Sequence, residues 1–157
     1  MASTGRWVLL AYRLPREPST PRIAIWRELR RLGATQIADG VVALPLDART
    51  RERLEWLAEE ITDHDGEATI WLAEPANAAQ DRGLRERMTA AIVAEYAALT
   101  ALANEAAVEP DGVRRRTLGR LRRELRRIRS RDYFAPPIGE RATAAIEALG
   151  DSIEAVS

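Results

Sequence analysis

The chain has 157 residues, 46% of them hydrophobic, with 24 basic residues balanced by 24 acidic ones and no cysteine. That length and apolar content suffice for one domain, or a small domain with an appendage, folding without covalent staples. The missing cysteine excludes disulfides, thiol nucleophiles and thiolate metal sites, and no apolar run approaches a membrane span.

In chain order, WVLLAYRLP (Trp7 to Pro15) is rich in β-formers and ends at a proline, which predicts a buried strand. The stretch lacks a signal-peptide cleavage pattern, so a cytoplasmic location without membrane contact is expected. Ser19, Thr20 and Pro21 supply a helix cap and a first-turn proline. The predicted helix runs through Ile23, Trp26, Leu29 and Leu32 to a stop at Gly33. Asp39-Gly40 then separates two short apolar runs, which predicts a hairpin of type I′, where both turn residues take positive φ. Asp47 or Thr50 caps a second helix with an inner face of Leu54, Leu57, Ala58 and Ile61, ending near Gly66. Glu67 to Pro75 alternates Ala68, Ile70 and Leu72 against Thr69, Trp71 and Ala73, a fourth strand.

The order β-α-β-β-α-β predicts an α+β fold with a ferredoxin-like sheet domain over residues 6–76. The period then changes, and residues 78–154 are predicted to be a helical region. A long alanine-rich helix carries Leu84, Met88, Ile92, Tyr96, Leu99, Leu102 and Ala106 on one face. After Pro110-Asp111-Gly112 an arginine-rich helix completes a helical hairpin, and Pro136-Pro137 ends it. A further helix carries Ala142, Ala145, Ile146 and Leu149.

Every basic residue is arginine, and the charge is segregated. Residues 113–157 hold eleven arginines and six acids, whereas residues 1–75 hold ten and twelve. Between Val113 and Arg131 ten arginines face one acid, Glu124. Leu118, Leu121, Leu125 and Ile128 form one apolar stripe. Arg115, Arg122, Arg126 and Arg129 lie to one side of it, and Arg116, Arg120, Arg123 and Arg127 largely to the other. These eight are the candidate DNA-phosphate or anion-binding residues, since each guanidinium fork can donate two hydrogen bonds to phosphate oxygens. Two plainer readings stand beside that one: pairing with acids such as Glu59, Glu60, Asp63, Asp65 and Glu67, which sit where the second helix dipole disfavours them, or a solvated charged face. Arg27, Arg30 and Arg31 form a secondary basic patch on the first helix.

Asp132-Tyr133-Phe134 is expected to seat a chain turn against the core. Of the tryptophans, Trp7, Trp26 and Trp71 suit core packing, while Trp56 lies off its helix stripe. His64, the one histidine, is read as incidental, and neither a catalytic set nor a metal site is found. No cofactor is expected, and no enzymatic activity.

WVLLAYRLPREPSTPRIAIWRELRRLGA (Trp7 to Ala34), followed by DGVVALP (Asp39 to Pro45), resembles the opening of the chromate-resistance regulator family, the ChrB N-terminal domain, with likeness extending to RIRSRDYF (Arg127 to Phe134). The resemblance implies a cytoplasmic transcriptional regulator of an oxyanion-resistance operon; in that family a second, chromate-associated domain usually follows. WRELRRLGA with GVVALP is also similar to the C-terminal ferredoxin-like module of the phenylacetic-acid repressor family. That module is in turn similar to the small CRISPR adaptation nuclease, whose first strand ends in a metal-binding aspartate; Ala11-Tyr12-Arg13-Leu14 here has no carboxylate. The expected function is a homodimeric DNA-binding regulator, dimerising because the helical seams need a partner. An oxyanion sensor and a protein-protein scaffold are the alternatives.

Overall fold

The computed structural model describes residues 5–154. In chain order the elements are β1 (Trp7–Arg13), α1 (Thr20–Leu32), β2 (Thr35–Ala38), β3 (Val41–Pro45), α2 (Ala48–Asp63), β4 (Glu67–Ala73), α3 (Ala78–Ala106), α4 (Asp111–Ser130) and α5 (Ile138–Glu154). Two compact units divide within α3, one running up to Met88 and the other beginning at Thr89.

In the first unit the strands form an antiparallel sheet of order β2-β3-β1-β4, the ferredoxin-like arrangement. Val8 and Leu10 of β1 stand opposite Leu44 and Val42 of β3 and opposite Leu72 and Ile70 of β4, so all six share one sheet face. Helix α2 packs on β1 and β4, and α1 on α2, contributing buried Leu54, Leu57, Ile61, Ile25, Leu29 and Leu32. The start of α2 closes with a reciprocal cap. Asp47 accepts from Thr50 N at 2.8 Å, Thr50 Oγ1 accepts from Asp47 N at 3.0 Å, and the same hydroxyl donates to Pro45 O at 2.6 Å. Both predicted capping residues therefore act together, in an arrangement worth about 1 kcal/mol.

Three local expectations are corrected. The buried face of α1 is Ile25, Leu29 and Leu32, while Ile23 and Trp26 are exposed, because Ile23 lies nearly opposite Ile25 on the helix. The hairpin is not type I′, since only Gly40 takes positive φ (73°) and Asp39 does not. A register shift between Gln36 and Ala38 absorbs the difference. Gly40 is nonetheless required, as a Cβ there would lie 2.5 Å from Tyr12 O. Finally, only Trp7 joins the core (2% exposed); Trp26 and Trp71 are 52% and 59% exposed, like Trp56 at 56%.

In the second unit, α3, α4 and α5 enclose one core: Ile92, Tyr96, Leu99, Ala103 and Ala106 meet Leu118, Leu121, Leu125 and Ile128, and Ala142, Ile146, Leu149 and Ile153. Ala103 takes the inward place expected of Leu102, which is exposed, because it keeps the four-three-four-three spacing that starts at Ile92. The expectation that the α3 and α4 seams stay open for a partner is not met. Each is closed within the chain. Asp132 ties the turn after α4, accepting from Tyr96 Oη at 2.8 Å, Phe134 N at 3.2 Å and Ala135 N at 2.9 Å.

Candidate nucleic-acid interface

Helix α4 begins after Pro110 with Asp111 in its first turn and carries Arg127 and Arg129 in its last. Both biases favour the helix dipole. Its buried stripe is the predicted Leu118, Leu121, Leu125 and Ile128. Burying these four fixes the rotation of the helix, so the guanidiniums off the stripe are held at set angles. They are borne by a packed element and not by a loop.

The eight candidate arginines divide by what they touch. Arg115 donates from Nε to Asp111 Oδ2 at 2.8 Å, Arg127 pairs with Glu124, and Arg129 donates to Thr143 Oγ1 on α5. Arg116, Arg120, Arg122, Arg123 and Arg126 are exposed, and among the described residues none of them makes an ion pair. Arg122 reaches toward α5, its Nη2 lying 3.1 Å from where a Cβ on Gly150 would sit. Arg116, Arg120, Arg123 and Arg127 recur at spacings of four, three and four along the line opposite the seam, at axial steps of about 4.5–6 Å. Like charges so placed repel by about 0.2–0.5 kcal/mol per pair, and only Glu124 offsets them on that line.

Arg114 of this helix and Arg131 at its C-cap are part-buried. Arg114, its side chain 13% exposed, sits in phase with the buried stripe; it pairs with Asp111 at 3.5 Å and its Nη1 donates to Ser152 Oγ at 3.4 Å. Sequence reasoning gave it no separate role, although its position four residues before Leu118 is the signal. Arg131 pairs with Glu95 of α3 and donates to Arg127 O at 3.1 Å. The acids that hold arginines of α4 and its C-cap are thus Asp111, Glu124 and Glu95. The expected partners at the end of α2 (Glu59, Glu60, Asp63, Asp65 and Glu67) make no ion pair among the described residues.

Of the secondary patch, Arg30 lies 4.7 Å over the Trp26 ring and Arg31 pairs with Glu28 at 3.1 Å. Arg27 is exposed, with no ion pair among the described residues. His64 caps the C-terminus of α2 in an exposed position. No group of three or more potential metal ligands occurs among the described residues, and no helix among them is long and apolar enough to cross a membrane.

A ferredoxin-like sheet unit is followed by a helical unit whose packed α4 exposes guanidiniums, five of them without an ion pair among the described residues, and together these define a small α+β module. The family model "Protein ChrB, N-terminal" matches residues 22–111, more than half of the chain, and the chain belongs to that family. It is 35% identical over 88 residues to Protein ChrB of Cupriavidus metallidurans, a match covering 53% of this chain and 26% of that protein. The chain therefore matches about a quarter of the relative's length. No solved structure matches. The family match ends at Asp111, the first residue of α4, so the expected extension to Arg127 through Phe134 lies outside it.

Proposed function

We propose that the chain is a DNA-binding regulatory module of the chromate-resistance type, in which α4 holds the phosphate backbone. The observation that carries this reading is the set Arg116, Arg120, Arg122, Arg123 and Arg126, exposed on a packed helix and without a carboxylate partner among the described residues. Polyanion binding relieves the repulsion along that helix and releases counterions. Family membership supports the regulatory role. Phosphate contacts of this kind set position and orientation on the duplex and leave base choice to other groups. The same reading has the module act as a homodimer through exposed indoles such as Trp56 and Trp71, residues of a type favoured at interfaces, since the helical seams are already filled. Light scattering on size-exclusion peaks checks that state.

The test is a gel shift with a fragment of the chain's own promoter, repeated across salt concentrations. The expected result is affinity that falls linearly on a double-logarithmic plot, with a slope of about −0.9 per phosphate neutralised. A flat salt dependence, or no shift, refutes the reading.

A second reading is an oxyanion sensor. It is favoured by a hollow of about 300 Å³ on the helical unit, where Arg115 and Arg122 flank Gly119 and Gly150. Thermal stabilisation by chromate beyond that given by equal sulfate supports it, because a ligand of the native state raises stability by mass action. No shift at millimolar anion removes it.

A further inference from the structure

A cleft of about 600 Å³ in the first unit lies among the end of β1, the start of α1 and the β2–β3 hairpin. Its walls include Tyr12, Arg13, Ser19, Arg22, Ile23 and Trp26. Four observations about them converge. First, Arg13 and Arg22 are exposed and neither makes an ion pair among the described residues. Glu67, the cross-strand neighbour of Arg13, does not pair with it. Second, Arg22 lies close enough to the Tyr12 phenol for its charge to act on it: burial raises the phenol pKa and the Arg22 charge lowers it in part. A neutral hydrogen-bonding hydroxyl therefore stands beside a guanidinium. Third, the Trp26 indole, expected in the core, instead lines this cleft at 52% exposed. Arg30, 4.7 Å from its centroid, takes one face of the ring. Fourth, Asp39 and Gln36 on the hairpin side add polar acceptors, and Asp39 makes no ion pair among the described residues.

Two guanidinium forks lining one cleft suit a phosphate, an indole face suits a planar ring, and a carboxylate without an ion pair among the described residues suits a sugar hydroxyl. The cleft volume is within the range of small-molecule sites. We propose that this cleft is a nucleotide site, with the phosphate on Arg13 and Arg22, the base against Trp26 and the sugar hydroxyls toward Asp39. The site is separate from the arginine helix and does not rest on the reading of that helix. Variants in α4 are expected to leave it unchanged.

The test follows indole fluorescence, excited at its red edge, while the whole chain is titrated with AMP, adenosine, inorganic phosphate or a short single-stranded deoxyoligonucleotide. AMP is expected to change the signal saturably, with affinity about tenfold or more above that of adenosine or phosphate alone. The double variant R13Q/R22Q, at two exposed positions, is expected to lose about tenfold or more of the AMP affinity. W26L is expected to weaken AMP while leaving phosphate unchanged by calorimetry. The oligonucleotide arm identifies the source of the same chemistry: binding tighter than AMP through the same arginines assigns an unpaired strand, and weaker binding a free nucleotide. Equal affinity for AMP and phosphate, or AMP affinity that survives both R13Q/R22Q and W26L with the circular dichroism spectrum intact, overturns the proposal.

Discussion

The Trp7 indole N–H donates to Asp81 Oδ1 at 2.8 Å across 74 positions of sequence. Trp7 lies on the sheet face opposite that of Val8 and Leu10, so this bond fastens the first turns of α3 over that second face. The same carboxylate accepts from Gly5 N at 3.1 Å and from Arg85 Nε at 2.9 Å. One buried acid thus organises a strand start, a chain segment and a helix turn.

Asp81→Ala should accordingly cost about 2–4 kcal/mol, because it strands a buried indole N–H and a part-buried backbone N–H. Asp81→Asn, which keeps an acceptor and loses the charge toward Arg85, should cost clearly less. Urea unfolding followed by tryptophan fluorescence separates the two. Equal stability of Asp81→Ala and the parent chain would show that this bond contributes nothing.

Tyr96 makes the second unit sensitive to alkali. Burial, with the Asp132 carboxylate accepting its hydroxyl proton at 2.8 Å, pushes the phenol from its usual 10.0 up to about 12. The folded state therefore holds this proton more tightly than the unfolded chain does. Its stabilisation is complete below pH 10 and disappears as pH rises through about 12. Unfolding measured across that window should show the loss. Tyr96→Phe should remove this component of the pH dependence at a neutral-pH cost of about 1 kcal/mol, since Asp132 keeps its two backbone donors.

On the proposed DNA-binding reading, the arginines of α4 should not contribute equally. A variant with Arg116, Arg120 and Arg123 all changed to Gln should flatten the salt slope by up to about 2.7, at about 0.9 per lost phosphate contact. Arg115→Gln and Arg127→Gln should each change it less, because those two guanidiniums already face Asp111 and Glu124. Slopes from salt-dependent anisotropy decide; a uniform loss per arginine would contradict the division by partner.

Leu121, fully buried at the centre of the helical core, holds α4 in its rotation. Leu121→Ala should cost about 2–5 kcal/mol. DNA affinity should fall with the folded fraction of that unit rather than through any change of charge. Far-ultraviolet circular dichroism recorded alongside binding tests the link.

The sequence alone determined the order of elements, the capping residues of α2 and the stripe of α4, because caps, period-two alternation and 3.6-residue periodicity act over a few neighbouring positions. It also located the charge, since composition along the chain is directly readable. Tertiary structure decided which of two apolar helix faces is covered: Ile25 rather than Ile23 and Trp26, and Ala103 rather than Leu102. It also decided that Trp71 faces solvent and that the α3 and α4 seams close into one core with α5. The division of the arginines into engaged and unengaged was equally beyond the sequence. Asp111 and Glu124 each lie three or four residues from the arginines they hold, but Glu95 reaches Arg131 from α3. Burial and ion pairing depend on which surface arrives from elsewhere in the chain, and no local pattern carries that information.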